Sequence, residues 1–352
     1  MVTRPSPDDD ARRDALALRS VPGVGDVAAG RLLDAHDGPA GALAVAAPAD
    51  AAERRRVAAA QMAEAARLGM WVRWRDEAEY PARLRELADP PLVAFLRGFA
   101  AAADPPAVAI VGTRRPSAYG LRVAAALARQ CAGAGVTVVS GLAQGIDGAA
   151  HLAALEAGGR TVAVLGTGLD VFYPRGHRGL QERIGGEGLL VSELPPGETG
   201  HSGTFPRRNR LIAALADVTV VVEAGERSGA LITADHAVEL GRTVAVVPNA
   251  IDAVTARGSN ALLKSGAEPI VDVADVLHLL RVTASPVAGP SLDGDAARCW
   301  DALRAGSGSV DEVAVRAGLS PREAASVLSR LEVDGLVAFD LLGIARPLVP
   351  VR

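Results

Sequence analysis

Residues 205–211 read FPRRNRL, three arginines and an asparagine crowded ahead of the apolar run IAAL, in a chain whose formal net charge is −4. Arginine suits bidentate contact with phosphate. Phe205 and Pro206 set a rigid entry, and Arg207, Arg208, Asn209 and Arg210 are expected to begin a helix. Cations at a helix N-terminus face a positive dipole, so an anionic partner would relieve the conflict. The competing expectation is pairing inside the protein with an acid such as Glu193, Glu198 or Glu223. Asn209 is read as a hinge or a base contact.

Three further segments carry the same kinds of residue. GTRRPSAYG offers Gly112, Thr113, Arg114 and Arg115; SGLAQGIDGAAH offers Ser140, Gly141, Gln144 and Gly145; GTGLDVFYPRGH offers Gly166, Thr167, Gly168 and Arg175. Small residues let backbone N–H groups approach an anion, hydroxyls add donors, and arginine supplies charge. Phe172, Tyr173 and Phe205 stand beside arginines, with Tyr119 close to another. Bases stack on such rings while cations follow the backbone, the pattern of single-stranded nucleic-acid binding. None of the loops matches the dinucleotide fingerprint or the P-loop, so a nicotinamide or ATP enzyme is disfavoured and no cofactor is expected.

Asp147 and His151, four apart, share one helix face and can act as carboxylate and base, or brace each other and the neighbouring loop. No serine or cysteine is marked out as a nucleophile and no third ligand completes a metal set with His151, so no catalytic residue and no metal are assigned. In EAGERSGALITADHA, Ser228, Gly229 and Thr233 can bind phosphate or cap a helix, and Glu223 can read a ribose hydroxyl or anchor an arginine.

These loops need a scaffold. The 352 residues are 49% hydrophobic and 22% charged, which suits one large core with small satellites. The acidic balance excludes a chain that is basic all over, so nucleic-acid contact must come from local clusters. Cys131 and Cys299 lie far apart and fit a reducing cytosol. No leader and no run of about 18 apolar residues is read, so neither secretion nor membrane spanning is expected. Residues 1–14 are expected to be disordered, and 15–70 helical, with PGVG forming the turn of a helix-hairpin-helix. Residues 71–281 carry short β-branched runs alternating with helical segments: a Rossmann-like, doubly wound, mainly parallel sheet, preceded by an extension over 71–107. A linker over 282–294 leads to a winged-helix pattern over 295–346.

The segments VAIVGTRRPSAYG, SGLAQGIDGAAHLAAL, VAVLGTGLDVFYPRGHRGL, VSELPPG, FPRRNRLIAAL and VVVEAGERSGALITADHAVELGRTVAVVP run in order through about 108–248. This set resembles the DNA-processing protein A (DprA, or Smf) family. The resemblance implies a cytosolic, homodimeric protein that binds single-stranded DNA in a positive pocket and helps load the RecA recombinase in natural transformation. By motif it assigns Arg114, Arg175 and Arg208 to Arg210 to phosphates, and Ser140, Gly141, Gln144 and Gly145 to the cradle of the strand. The chain departs from the family's usual residues at His177, Ala214 and Asn249. Two alternatives use the same sheet. One is a nucleotide phosphoribohydrolase, which resembles its relatives in a PGGxGTxxE loop that EAGERSGALITAD lacks; the other is a nucleotide-sensing regulator.

Overall fold

The computed structural model describes residues 7–104, 106–282, 292–334, 336–339 and 343–347. The chain divides into two compact units, Met1–Thr283 and Ala284–Arg352. The expected linker therefore falls mostly on 283–291, outside the described residues, as do residues 1–6 of the expected disordered tail.

The first unit opens with helices α1 (Pro7–Arg19), α2 (Asp26–Ala35), α3 (Gly38–Ala46) and α4 (Ala51–Arg67). The expectation of disorder is corrected for residues 7–14, which belong to α1. Asp8, Asp9 and Asp10 occupy the first turn, where acids complement the helix dipole. Arg12 forks onto Glu77 at 2.6 and 2.7 Å, Asp14 accepts from Arg55 at 2.8 Å, and Ala15 to Leu18 are buried. The charges that suggested a solvated tail are ion pairs that dock the helix.

Strands β1 (Trp71–Trp74) and β2 (Val93–Gly98) form an antiparallel pair in the extension that precedes the parallel sheet. The alternation then runs β3 (Ala107–Val111), α5 (Ala118–Gly133), β4 (Thr137–Ser140), α6 (Ile146–Glu156), β5 (Thr161–Leu165), α7 (Arg178–Glu187) and β6 (Leu189–Ser192). It continues through α8 (Thr204–Leu215), β7 (Val218–Val221), α9 (Gly229–Glu239), β8 (Thr243–Val246), α10 (Arg257–Lys264), β9 (Glu268–Pro269) and α11 (Asp275–Leu279). The sheet order is β1-β2-β6-β5-β4-β3-β7-β8-β9, parallel from β6 to β9. Strands β3 to β7 are buried throughout because helices cover both faces. Alternate residues serve opposite cores: Val162 and Val164 pack with α8 and α9, while Ala163 and Leu165 pack with the N-terminal helices. A fully buried valine or leucine contributes about 1.5–3 kcal/mol.

The second unit has α12 (Gly294–Arg304), α13 (Val310–Ala317), α14 (Pro321–Val333) and an antiparallel pair, β10 (Val337–Phe339) and β11 (Ala345–Pro347). Capping boxes Ser309/Glu312 and Ser320/Glu323 start α13 and α14. Three helices and a hairpin around the core of Cys299, Trp300, Val313 and Leu328 make the winged helix.

Candidate functional site

Strand order reverses at β3: the chain winds outward through β4, β5 and β6, then crosses back to place β7 on the other side of β3. In open α/β sheets the crevice at such a switch point receives ligands. Here it holds a cavity of about 900 Å³ lined by the loops after β3 and β7, the start of α6, the segment 200–202 and the first turns of α8 and α9. A smaller recess of about 50 Å³ adjoins it behind Arg114, Tyr173 and Phe205.

Four arginines line the main cavity: Arg114, Arg115, Arg208 and Arg227. Arg114, Arg115 and Arg227 are exposed and pair with no acid among the described residues. Arg114 lies over the Phe205 ring at 5.9 Å, and Tyr173 meets the same ring at 4.9 Å between centroids, tilted by 36°. Arg208 differs from the other three. It is buried, and its Nη1 donates to the carbonyls of Gly141 (2.7 Å) and Val164, and its Nε to Asn209 Oδ1 at 3.2 Å. Among the described residues no carboxylate accepts from it, and burial pulls its pKa down to about 10, with Asp147 opposing. A guanidinium desolvated in this way favours an arriving anion.

Packing also demands several of these glycines, of which Gly112 lines the main cavity and Gly141 and Gly166 line the smaller recess. A Cβ at Gly141 would stand 2.6 Å from Arg208 Nη2, and one at Gly166 would stand 2.9 Å from Phe205. Gly112 lies against Ile146 and the Glu223 carbonyl, Gly168 against Pro195 O. Gly145, at φ +82°, fits under Thr113 O and Pro116. The Ser140 hydroxyl donates to Ile110 O at 2.7 Å, so it ties β4 to β3 rather than cradling a strand. Thr167 is buried with its hydroxyl on Val171 O at 3.3 Å, and exposed Gln144 edges the smaller recess. Thr113 Oγ1 accepts from Arg115 N at 3.2 Å.

Asp147 and His151 do not pair with each other. The Asp147 carboxylate accepts from Gly141 N at 3.1 Å and Ala143 N at 3.4 Å, fixing the loop that carries Leu142 at φ +58°. Burial pushes its carboxyl above the usual range, against the pull of Arg208 and the two amides. His151 Nδ1 bonds Thr161 Oγ1 at 2.7 Å, and burial drives the imidazole down to about 3. Glu223 neither meets the cavity nor anchors an arginine; it accepts from Ser117 Oγ at 2.7 Å and Ser117 N at 3.1 Å, fixing the β3–α5 loop. Ser228 caps α9, accepting from Ala230 N at 3.3 Å, and lines the cavity with Gly229 and Thr233.

The FPRRNR cluster divides. Helix α8 starts at Thr204, before the arginines. Arg207 and Arg210 take the second of the two expected roles, pairing with acids rather than lying free for a phosphate: Arg210 donates to Asp89 (3.0 Å), Asp26 (3.1 Å) and Glu193 (2.8 Å), and Arg207 pairs with Asp26 and, at 3.5 Å, Glu193. Neither lines the cavity, and Arg175 stands exposed outside it. Asn209 Nδ2 donates to Gly229 O at 2.9 Å and holds the start of α9 beside α8. His177, one of the departures, bonds Leu142 O at 3.0 Å and packs on Gly148. Sequence reasoning passed over Arg227, His201 and Ser202. Arg227 was findable by the rule that picked Arg114, a cation between a strand end and a helix cap; His201 and Ser202 carry no such signal. Among the described residues, no three His, Cys, Asp or Glu side chains cluster as a metal site.

Fold and site together define a doubly wound α/β protein with an arginine-lined cavity at its switch point and an appended winged helix. The family profile described as DNA recombination-mediator protein A matches residues 71–281, and the DprA winged helix domain matches 283–338. The chain belongs to the DNA recombination-mediator protein A family. It is 45% identical over 201 residues to a putative DNA processing protein DprA of Mycobacterium tuberculosis, covering 54% of this chain and 52% of that protein. Similarity to the DNA processing protein DprA of Streptococcus pneumoniae is 48% over 134 residues, covering 38% and 48%, and to protein Smf of Escherichia coli 37% over 208 residues, covering 55% of each. The matched regions thus span about half the length of these curated relatives. Among solved structures, DNA processing protein A of S. pneumoniae superposes with TM-score 0.66 at 32% identity, over 78% of this chain and 98% of that one. The Helicobacter pylori protein, solved for its single-stranded DNA binding mode, gives TM-score 0.54 at 32% identity, over 60% and 95%.

Proposed function

We propose that the chain binds single-stranded DNA in the switch-point cavity. The observation that carries this reading is the meeting of three unpaired arginines, Arg114, Arg115 and Arg227, with the Tyr173–Phe205 ring pair in one open crevice. Cations follow the backbone and rings take bases, each stack being worth about 1–3 kcal/mol. A duplex keeps its bases stacked inside, so the rings select single strands. Arg208 supplies an anion anchor at the floor, and Asp147, Glu223 and Asn209 hold the loops around it.

We read the site as one that binds without catalysis, with Asp147 bracing the loop after β4 through the amides of Gly141 and Ala143 and His151 bonding Thr161 on β5. The wider role we propose, a cytosolic homodimer that loads RecA onto incoming strands, rests on the resemblance to the family; membership of that family and the single-strand binding of the H. pylori relative support its DNA-binding part. Among the described residues no helix is long and apolar enough to cross a membrane.

The test compares a labelled oligothymidine with a duplex of equal length, and incubates the protein with nucleoside monophosphates in parallel. Preferential capture of the single strand with no release of free base is expected. Equal binding of the duplex contradicts the reading, and base release would favour the phosphoribohydrolase alternative. Size-exclusion mass measurement and RecA filament nucleation on coated DNA test the dimer and the loading role.

A further inference from the structure

Helix α8 carries two functions on different faces. Residues 207 and 210, three apart, share one face, and residue 208 lies about 100° away around the axis. The first face meets an acidic cluster assembled from separate parts of the first unit: Asp26 from α2, Asp89 from the segment between β1 and β2, and Glu193 after β6. The second face puts Arg208 into the cavity floor, one residue after Pro206–Arg207 and three after Phe205. Asp26, Glu193 and Arg210 are all buried. A buried ion pair with several bonds to one guanidinium specifies geometry strongly even where its net contribution to stability is small.

We propose that Asp26 is a positioning residue for the DNA cavity: by holding Arg207 and Arg210, the N-terminal helical layer fixes the rotation of α8 and so sets Arg208 and Phe205. This inference rests on the reading of the cavity as a single-strand site. Asp26 makes the link because it is the cluster's acid contributed by the N-terminal helices, and it accepts from both arginines. The fixed α8 then places Arg208 Nη1 on Gly141 O and Asn209 on Gly229 O, which connects the helical layer to the loops after β4 and β7. Through Asp26 alone of its buried acids, α2 is thereby coupled to the cavity without touching the strand.

The sign of the effect separates positioning from plain electrostatics. Asp26→Asn removes a negative charge and releases Arg207, and both changes alone would tighten binding of an anion. Positioning demands the reverse. The full-length chain and its Asp26→Asn, Asp26→Glu and Asp14→Asn variants are titrated with labelled oligothymidine at several salt concentrations, and hydrogen exchange is followed over 204–212 in the free proteins. Asp14 is the control: a buried acid in the same helical layer, paired with Arg55 of α4 rather than with an arginine of α8. Asp26→Asn is expected to weaken binding about tenfold, within the range for residues that couple without ligand contact, and to speed exchange over 204–212. Its salt slope stays that of the wild type, Asp26→Glu recovers most of the affinity, and Asp14→Asn lowers the melting temperature while leaving affinity intact. Binding by Asp26→Asn at or above wild-type affinity overturns the inference, as does an equal loss in Asp14→Asn. A wild type that binds no oligonucleotide overturns the underlying reading of the cavity instead.

Discussion

Arg208 and its neighbours show how one short run of like residues is divided by helical geometry. The sequence marks Arg207, Arg208 and Arg210 alike, yet two face acids and one faces the cavity. Of the acids responsible, Glu193 lies 17 residues before Arg210 and is one of the partners the sequence offers, whereas Asp26 and Asp89 lie more than a hundred residues upstream, where no local pattern announces them. Substitutions should therefore split. Arg210→Ala leaves Asp26 and Glu193 short of a buried cation and should cost roughly 3 kcal/mol or more of stability, with no change in the salt dependence of DNA binding. Gly141→Ala places a Cβ 2.6 Å from a guanidinium held by two carbonyls, so chemical denaturation should show a loss of about 1–3 kcal/mol together with weaker oligonucleotide binding. His151 adds a pH dependence. Its folded value is about 3 against an ordinary 6.5, so the unfolded chain takes the proton first as pH falls. Stability from this group is intact above about pH 6.5 and declines below it by up to about 1.4 kcal/mol per unit until about pH 3. In His151→Asn, melting curves between pH 7 and 5 should lose this part of the slope.

At the scale of elements, the strands were legible because their causes are local. β-branched runs alternating with helical segments gave the strands of the parallel sheet, and the pattern over 295–346 gave the helices of the winged helix. Helix α1 was misread because charge density alone does not distinguish a solvated tail from a helix whose charges are paired to Glu77 and Arg55. The glycines carry a second demand that no local pattern shows: Gly141 and Gly166 make room for Arg208 and Phe205, partners that arrive from α8 across the sheet edge. Glu223 illustrates the same point, since its partner Ser117 lies in another loop. Glu223→Gln weakens the charge-assisted bonds to Ser117 and should loosen the β3–α5 loop, seen as faster hydrogen exchange over residues 113–120 with the sheet unchanged.

For the whole molecule, the two units hold separate cores, one around the sheet and one around Trp300, Val313 and Leu328. A chain ending at residue 282 should accordingly keep its fold and its single-strand affinity, and circular dichroism with the same titration checks both. The central claim is that the cavity's free arginines hold the phosphates of a single strand. Its most direct test is the salt dependence of oligothymidine binding for the wild type and for the combined Arg114→Ala, Arg115→Ala and Arg227→Ala variant. Each lost phosphate contact should reduce the log–log slope by about 0.7, so the triple variant's slope should fall by about 2. An unchanged slope in a folded triple variant would contradict the assignment of the strand to this cavity.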